Sequence, residues 1–334
     1  MVYEIDAICV GSVLWDVIGR TDKPISRGDD VGGYIKRIPG GVAFNIAQNL
    51  INLELNPCLL GFLGNDSEGD QLFSYCQNAG INADYIYRSD NFRTDNYVAI
   101  EDHDGVVAAI ADAHSLEAVG YEILKPLKNE HFNGQIKSSK VPLIVDGNLK
   151  PALLKHLSSD HFYEKFDVKI VPASPGKAGR LAPFLNKEKF TLYLNLVEAQ
   201  NLCGIQFSDT AIAANELISH GVGKVIITNG QDKVSMASSS TGVLSVKPPR
   251  IKVKRLISNS GTFIEHEAGS ATFDSTNNFV EIAHDLLTNE QYGAAELIGI
   301  RGINRGEMQQ AAQYCRTNGF TWDGVIARQK RNIT

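Results

Sequence analysis

Between residues 141 and 202, apolar runs of four or five residues alternate with helix-patterned segments. The pattern predicts strands over 142–145, 168–171 and 191–194, and helices over 149–157, 177–185 and 198–202. Short apolar strands joined by helices bury both faces by lying parallel in one sheet with helices packed against it. An α/β fold follows, and ligand groups are expected where strands end, since open parallel sheets bind at their carboxyl edge. Two strand ends carry polar groups: Asp146-Gly147-Asn148 and Asn195-Leu196-Val197-Glu198. Asn195 and Glu198 stand three residues apart at a helix start. They either form a capping pair or present a carboxylate to hydrated Mg²⁺ beside a polyphosphate.

The N-terminal half carries further candidates. A buried strand over 5–10 runs into Gly11-Ser12-Val13-Leu14-Trp15-Asp16. Asp16 is either a turn or cap aspartate or a carboxylate that accepts two sugar hydroxyls. Pro39-Gly40-Gly41 then leads straight into an apolar, small-residue helix with Asn45 on its first turn. Two glycines permit close backbone approach, and the helix start offers unpaired N–H groups. The stretch is thus either a ligand floor or an ordinary turn feeding a buried helix. Residues 57–64 read as a short buried strand, and 65–70 open another helix with capping residues. β-rich runs over 96–101 and 106–111 flank Asp104-Gly105 and predict a hairpin. With a strand over 31–36 this forms either a small projecting sheet, made by about 17–39 and 92–112, or an edge extension of the main sheet.

A chain of 334 residues, 43% hydrophobic, supports one large core, and residues 1–334 are expected to form a single domain. Its net charge of -6 argues against nucleic acid as partner, because phosphate backbones require a basic face. Cys9, Cys58, Cys76, Cys203 and Cys315 are odd in number and scattered, as reduced core thiols of a cytoplasmic protein would be. Neither a signal peptide nor a membrane-length apolar run is visible. No Gly-x-Gly-x-x-Gly follows the first strand, which disfavours a dinucleotide-dependent oxidoreductase.

Gly40, Gly41, Asn45 and Ala47, followed by Gly61, Gly64, Asp66 and Gly69, resemble the first signature of the ribokinase-like carbohydrate and nucleoside kinases. The resemblance runs over about residues 4–255. It implies a three-layer α/β/α fold with a mainly parallel central sheet and a small β lid that serves as a homodimer surface. It also implies ATP and Mg²⁺, a sugar or nucleoside substrate held by Asp16, Gly40, Gly41, Asn45 and Asn148, and a nucleotide held by Asn195, Glu198, Thr228 and Gly230, with Glu198 on the metal. Residues 173–181 resemble the pseudouridine kinase branch, which favours a ribosyl substrate. The pattern then departs from the family. Where relatives carry Thr-Gly-Ala-Gly-Asp-Thr-Phe, this chain has Ile257-Ser258-Asn259-Ser260-Gly261-Thr262-Phe263. Gly261 stands at the position of the catalytic base, and glycine cannot take a proton. A second echo over 267–273 places Ser270 there, and Asp274 follows as a turn or cap residue. No catalytic residue is assigned. The two expectations are an ATP-dependent sugar or nucleoside kinase and a catalytically impaired binding protein on the same scaffold.

Overall fold

The computed structural model describes residues 4–128, 132, 135, 140–230 and 232–247. The expected strand over 251–255, the altered motif over 257–263, its echo with Ser270 and Asp274, and the helices expected over 279–287 and 307–315 lie outside the described residues.

The chain begins with β1 (Ala7–Val10), then β2 (Leu14–Arg20) and β3 (Tyr34–Gly40), which lead into α1 (Val42–Asn52). Next come β4 (Pro57–Leu60), β5 (Phe62–Gly64), α2 (Ser67–Asn78), β6 (Tyr87–Ser89) and a hairpin of β7 (Asn96–Asp102) and β8 (Gly105–Asp112). Two short helices, α3 (His114–Val119) and α4 (Lys125–Lys128), precede β9 (Pro142–Asp146), α5 (Pro151–Ser159) and β10 (Asp167–Val171). A 3₁₀ segment, Pro175–Phe184, leads to β11 (Thr191–Asn195), α6 (Leu196–Cys203), α7 (Thr210–Ser219), β12 (Lys224–Thr228), β13 (Val234–Ser238) and β14 (Gly242–Val246).

The central sheet has the order β14-β13-β12-β11-β10-β9-β1-β4. Every pairing from β4 to β12 is parallel, and β13 and β14 are antiparallel. Side chains alternate between two separate cores. Ile8 and Val10 enter one with Leu60, Leu143, Val145 and Ile227, whereas Ala7 and Cys9 enter the other with Leu59, Ile144 and Ile226. Both faces are therefore dry, which explains why these strands are continuously apolar rather than alternating. Helix α1 places Phe44, Ile46, Ala47 and Leu50 in the second core, at helical spacing.

A second sheet, β3-β2-β7-β8, stands apart from the first. Its strands differ from the sequence expectation in two respects. The strand expected over 31–36 lies at Tyr34–Gly40 and runs directly into the diglycine, and β2, starting at Leu14, is an additional strand of this sheet. Val31-Gly32-Gly33 cannot begin the strand because Gly33 packs against the backbone carbonyl of Arg20, closing the connection between β2 and β3. The helix expected over 177–185 is instead the 3₁₀ segment: Gly176, Gly179 and Pro183 weaken α-helical propagation. Helix α7 and strands β13 and β14 were not expected.

The fold is pinned near the base of the second sheet by Asp66. Its carboxylate caps α2 through the Gly69 N–H at 2.7 Å and also accepts the Thr94 N–H at 2.9 Å and hydroxyl at 2.7 Å, just before β7. Burial alone would raise its pKa, but the Thr94 and Gly69 hydrogen bonds and nearby Arg88 carry it below the usual carboxylate value. A carboxylate with a depressed folded pKa stabilises the fold above its unfolded pKa, and that contribution disappears as pH falls through the folded value. Asp66→Ala is expected to cost about 1–3 kcal/mol at pH 7, shrinking toward pH 3. Urea unfolding at both pH values measures this, and an alanine variant as stable as wild type at pH 7 would refute the anchoring role.

Candidate active site

The chain leaves β1 for one neighbour, β4, and later returns on the other side as β9. This topological switch opens a crevice beyond the carboxyl end of β1. Ser12 occupies it. Its N–H and hydroxyl both donate to Asp146 Oδ2 at the end of β9, and its oxygen accepts the Val42 N–H at 2.8 Å from the start of α1. Asn148 adds its N–H to Asp146 Oδ1 at 2.7 Å and its side-chain amide to Ser12 Oγ at 3.2 Å. Asp146 is fully enclosed; burial raises its pKa, against the hydrogen bonds from Ser12 and Asn148.

Asp16 and the diglycine meet at this crevice. Asp16 lies on β2 opposite Ile38, and a Cβ on Gly40 would overlap its carboxylate. Gly41 has φ +98°, and a Cβ there would press on the Ser12 backbone. Only glycine at both positions lets the carboxylate fold over the strand end while the α1 N-terminus closes on Ser12. Asn45, half-buried on the first turn of α1, makes no side-chain hydrogen bond among the described residues.

A second polar cluster lies at the ends of β11 and β12. Asn195 and Thr228 are direct register partners, Thr228 is buried, and Gly230 turns the chain with φ +54°. Asn195 caps α6 by accepting the Glu198 N–H at 2.8 Å, while Glu198 accepts the Asn195 N–H at 2.8 Å. The capping pair considered from sequence is thus real. It uses Oε2 of Glu198 and leaves the other carboxylate oxygen without a hydrogen bond among the described residues. Burial pushes the Glu198 pKa up to about 7, partly offset by the Asn195 hydrogen bond. A group of three potential ligands, Asp102, His103 and Asp104, sits at the β7–β8 turn, where Asp102 is already used by the Ile25 and Asp104 N–H groups.

The structure brings Asp16, Gly40, Gly41, Asn45 and Asn148 into one crevice, and Asn195, Glu198, Thr228 and Gly230 into another. Both lie along the same carboxyl edge, with β9 and β11 two strand spacings apart, roughly 10 Å. Sequence reasoning placed Asp146 at a strand end without giving it a role, and did not single out Ser12 or Lys177, whose ammonium donates to Asn148 Oδ1 at 2.6 Å. For Ser12 the available signal was position, just past the end of β1, whereas Lys177 lies inside the 3₁₀ segment and carried no such marker.

A family model described as "pfkB family carbohydrate kinase" matches residues 5–255. The pseudouridine kinase of Escherichia coli is 29% identical over 231 residues, covering 68% of this chain and 71% of that protein. Among solved structures, a carbohydrate kinase from Agrobacterium tumefaciens superposes with a TM-score of 0.61 at 21% identity, covering 88% of this chain and 94% of that one. A ribokinase from Arabidopsis thaliana, complexed with ribose and ATP, gives 0.58 at 14% identity over 88% of both chains. The fold is therefore the ribokinase-like three-layer α/β/α arrangement with a mainly parallel central sheet. Among the described residues no helix is long and apolar enough to cross a membrane.

The raised pKa of Glu198 makes a test possible without any ligand. Folded protein binds this proton more tightly than unfolded protein does, so wild-type stability falls as pH rises from about 4.5 to about 7. Glutamine retains the capping acceptor but carries no charge. In EDTA, Glu198→Gln should therefore gain about 1–3 kcal/mol over wild type at pH 8 relative to pH 5. Denaturant unfolding at both pH values measures it, and a pH-independent difference would exclude a buried, strained carboxylate here.

Proposed function

The chain belongs to the pfkB family of carbohydrate kinases, and from that premise we propose that it transfers the γ-phosphoryl group of ATP to a hydroxymethyl group of a ribosyl-type substrate, with pseudouridine favoured. The observation that carries this reading is the pair of polar clusters on one sheet edge. One offers a carboxylate acceptor, Asp16, and a free amide, Asn45, to sugar hydroxyls. The other offers the Thr228–Gly230 turn and the Glu198 carboxylate to a polyphosphate and its cation. In the reaction, the acceptor oxygen bonds to the γ-phosphorus, the bridging bond to the β-phosphate breaks to release ADP, and the hydroxyl proton passes to solvent, no base being assigned. Glu198 would hold Mg²⁺, which supplies neutralisation of phosphate charge. Asp16 orients the acceptor, and the β3-β2-β7-β8 sheet acts as a lid that keeps water from the transferring group.

The second reading, a binding protein without efficient turnover, is favoured by Gly261, Ser258 and Ser260 at motif positions. An ATP-dependent phosphorylation assay with pseudouridine separates the two. Wild type is expected to turn over slowly, below the usual kinase range of roughly 1–100 s⁻¹. The repaired variant Ser258→Gly, Ser260→Gly, Gly261→Asp should be faster by on the order of 10²-fold. Asp16→Ala should weaken pseudouridine binding by about 1–3 kcal/mol. A repaired variant that binds both ligands and gains nothing would favour the binding-protein reading.

The proposed assembly is a homodimer through the lid. Cross-strand pairing puts Ile35, Val98, Ile100 and Ile110 on the sheet face opposite Asp16. That face is open to solvent, with Ile35 79% and Ile110 71% exposed. Contiguous exposed apolar surface of this kind marks an interface. Wild type is expected to run as a dimer in light scattering, and Ile35→Lys with Ile110→Lys as a monomer. A wild-type monomer at micromolar concentration would remove the proposal.

A further inference from the structure

Lys177 enters the crevice from the 3₁₀ segment that follows β10, and its surroundings leave most of its bonding capacity unused. The ammonium donates one hydrogen bond, to Asn148 Oδ1 at 2.6 Å. That acceptor is fixed in orientation, because the amide nitrogen of Asn148 is held by Ser12 Oγ and Asp146 Oδ2. Among the described residues no carboxylate lies within ion-pair distance of Lys177. Its neighbour Arg180, by contrast, has a carboxylate partner: its Nη1 reaches Glu117 Oε1 at 2.7 Å and the carbonyls of Asn148 and Leu149 at 3.2 and 3.3 Å. A half-buried ammonium with one neutral acceptor keeps two donors for water or a ligand, and carboxylates meet its charge only through space. Burial and the nearby Arg180 lower its pKa, while Asp146, Glu117 and Asp95 act in the opposite sense.

The crevice is thus polarised. On the Asp16 side it presents an acceptor suited to hydroxyls. On the Lys177 side it presents a donor-only cation, unable to accept from a hydroxyl. Resting on the kinase reading above, we propose that Lys177 is a specificity-determining residue that donates to an acceptor-only oxygen on the substituent at the sugar's anomeric carbon. Such an oxygen is either a nucleobase carbonyl or an anionic phosphate, and a free sugar has neither.

The test is calorimetric titration of the full chain, without turnover, using pseudouridine, ribose 1-phosphate and ribose. Lys177→Met should weaken pseudouridine, ribose 1-phosphate or both by about 10-fold or more and leave ribose within about twofold. Lys177→Arg, which keeps the charge, should restore part of the loss. The probe that loses more identifies the source of the oxygen. Equal loss for all three probes would mean that Lys177 acts only by holding Asn148, and overturns the proposal. Unchanged pseudouridine and ribose 1-phosphate affinity in a variant that still binds ribose overturns it while leaving the kinase reading intact. Failure of wild type to bind any probe overturns both.

Discussion

The crevice depends on one buried carboxylate. Asp146 ends β9, and through Ser12 it reaches the end of β1 and the first N–H groups of α1, three elements far apart in sequence. Enclosing a charge is expensive, and this one is tolerated because Ser12 and Asn148 surround it with donors. Oδ2 has three donors and Oδ1 only the Asn148 N–H, so loss of that one contact would leave an unsatisfied oxygen in a dry interior, and the network favours a single geometry. That geometry sets the angle at which α1 leaves the diglycine, and with it the position of Asn45. Lys177 extends the same network by one more bond, from Asn148 to the open side of the crevice.

The second sheet solves a different problem with the same economy of residues. Strand β2 continues almost directly from β1, so its base is buried where Trp15 packs into the core of the main body. Arg37 on β3 covers the Trp15 ring at 4.1 Å and pairs with Glu68 of α2 at 3.0 Å, joining the sheet to the body at one edge. Alternation then puts Asp16 on the other face, toward Gly40. A strand has only two faces, and here one serves the core and an exposed apolar surface while the other serves the crevice.

These contrasts explain what could be seen in the sequence. Parallel strands buried on both faces announce themselves as apolar runs, so β9, β10 and β11 were legible, as was the Asp-Gly hairpin of β7 and β8. The diglycine was legible because Gly40 and Gly41 answer steric demands that no other residue meets. Strand β2 was hidden because half of its residues face solvent or ligand and its pattern begins inside the β1 turn. Asp146 was visible as a polar group at a strand end, but its role was hidden because it exists only in the meeting with Ser12, 134 residues away. The Asn195–Glu198 pair shows the limit most clearly. Capping and cation binding require the same residues at the same spacing, and the structure shows the first without removing the second.

Binding and chemistry carry different energetic weights in phosphoryl transfer. Phosphoryl transfer draws most of its acceleration from positioning and charge stabilisation, with well-oriented groups worth up to about 10⁵–10⁸ M in effective concentration. A general base contributes about 10²–10⁴-fold. On the kinase reading proposed above, Gly261 in place of an aspartate would therefore slow transfer without removing either binding cluster. Ser258 and Ser260 stand where relatives carry glycine, and if a transition-state donor were lost with either glycine the cost would be about 10²–10³-fold, comparable with that of the base.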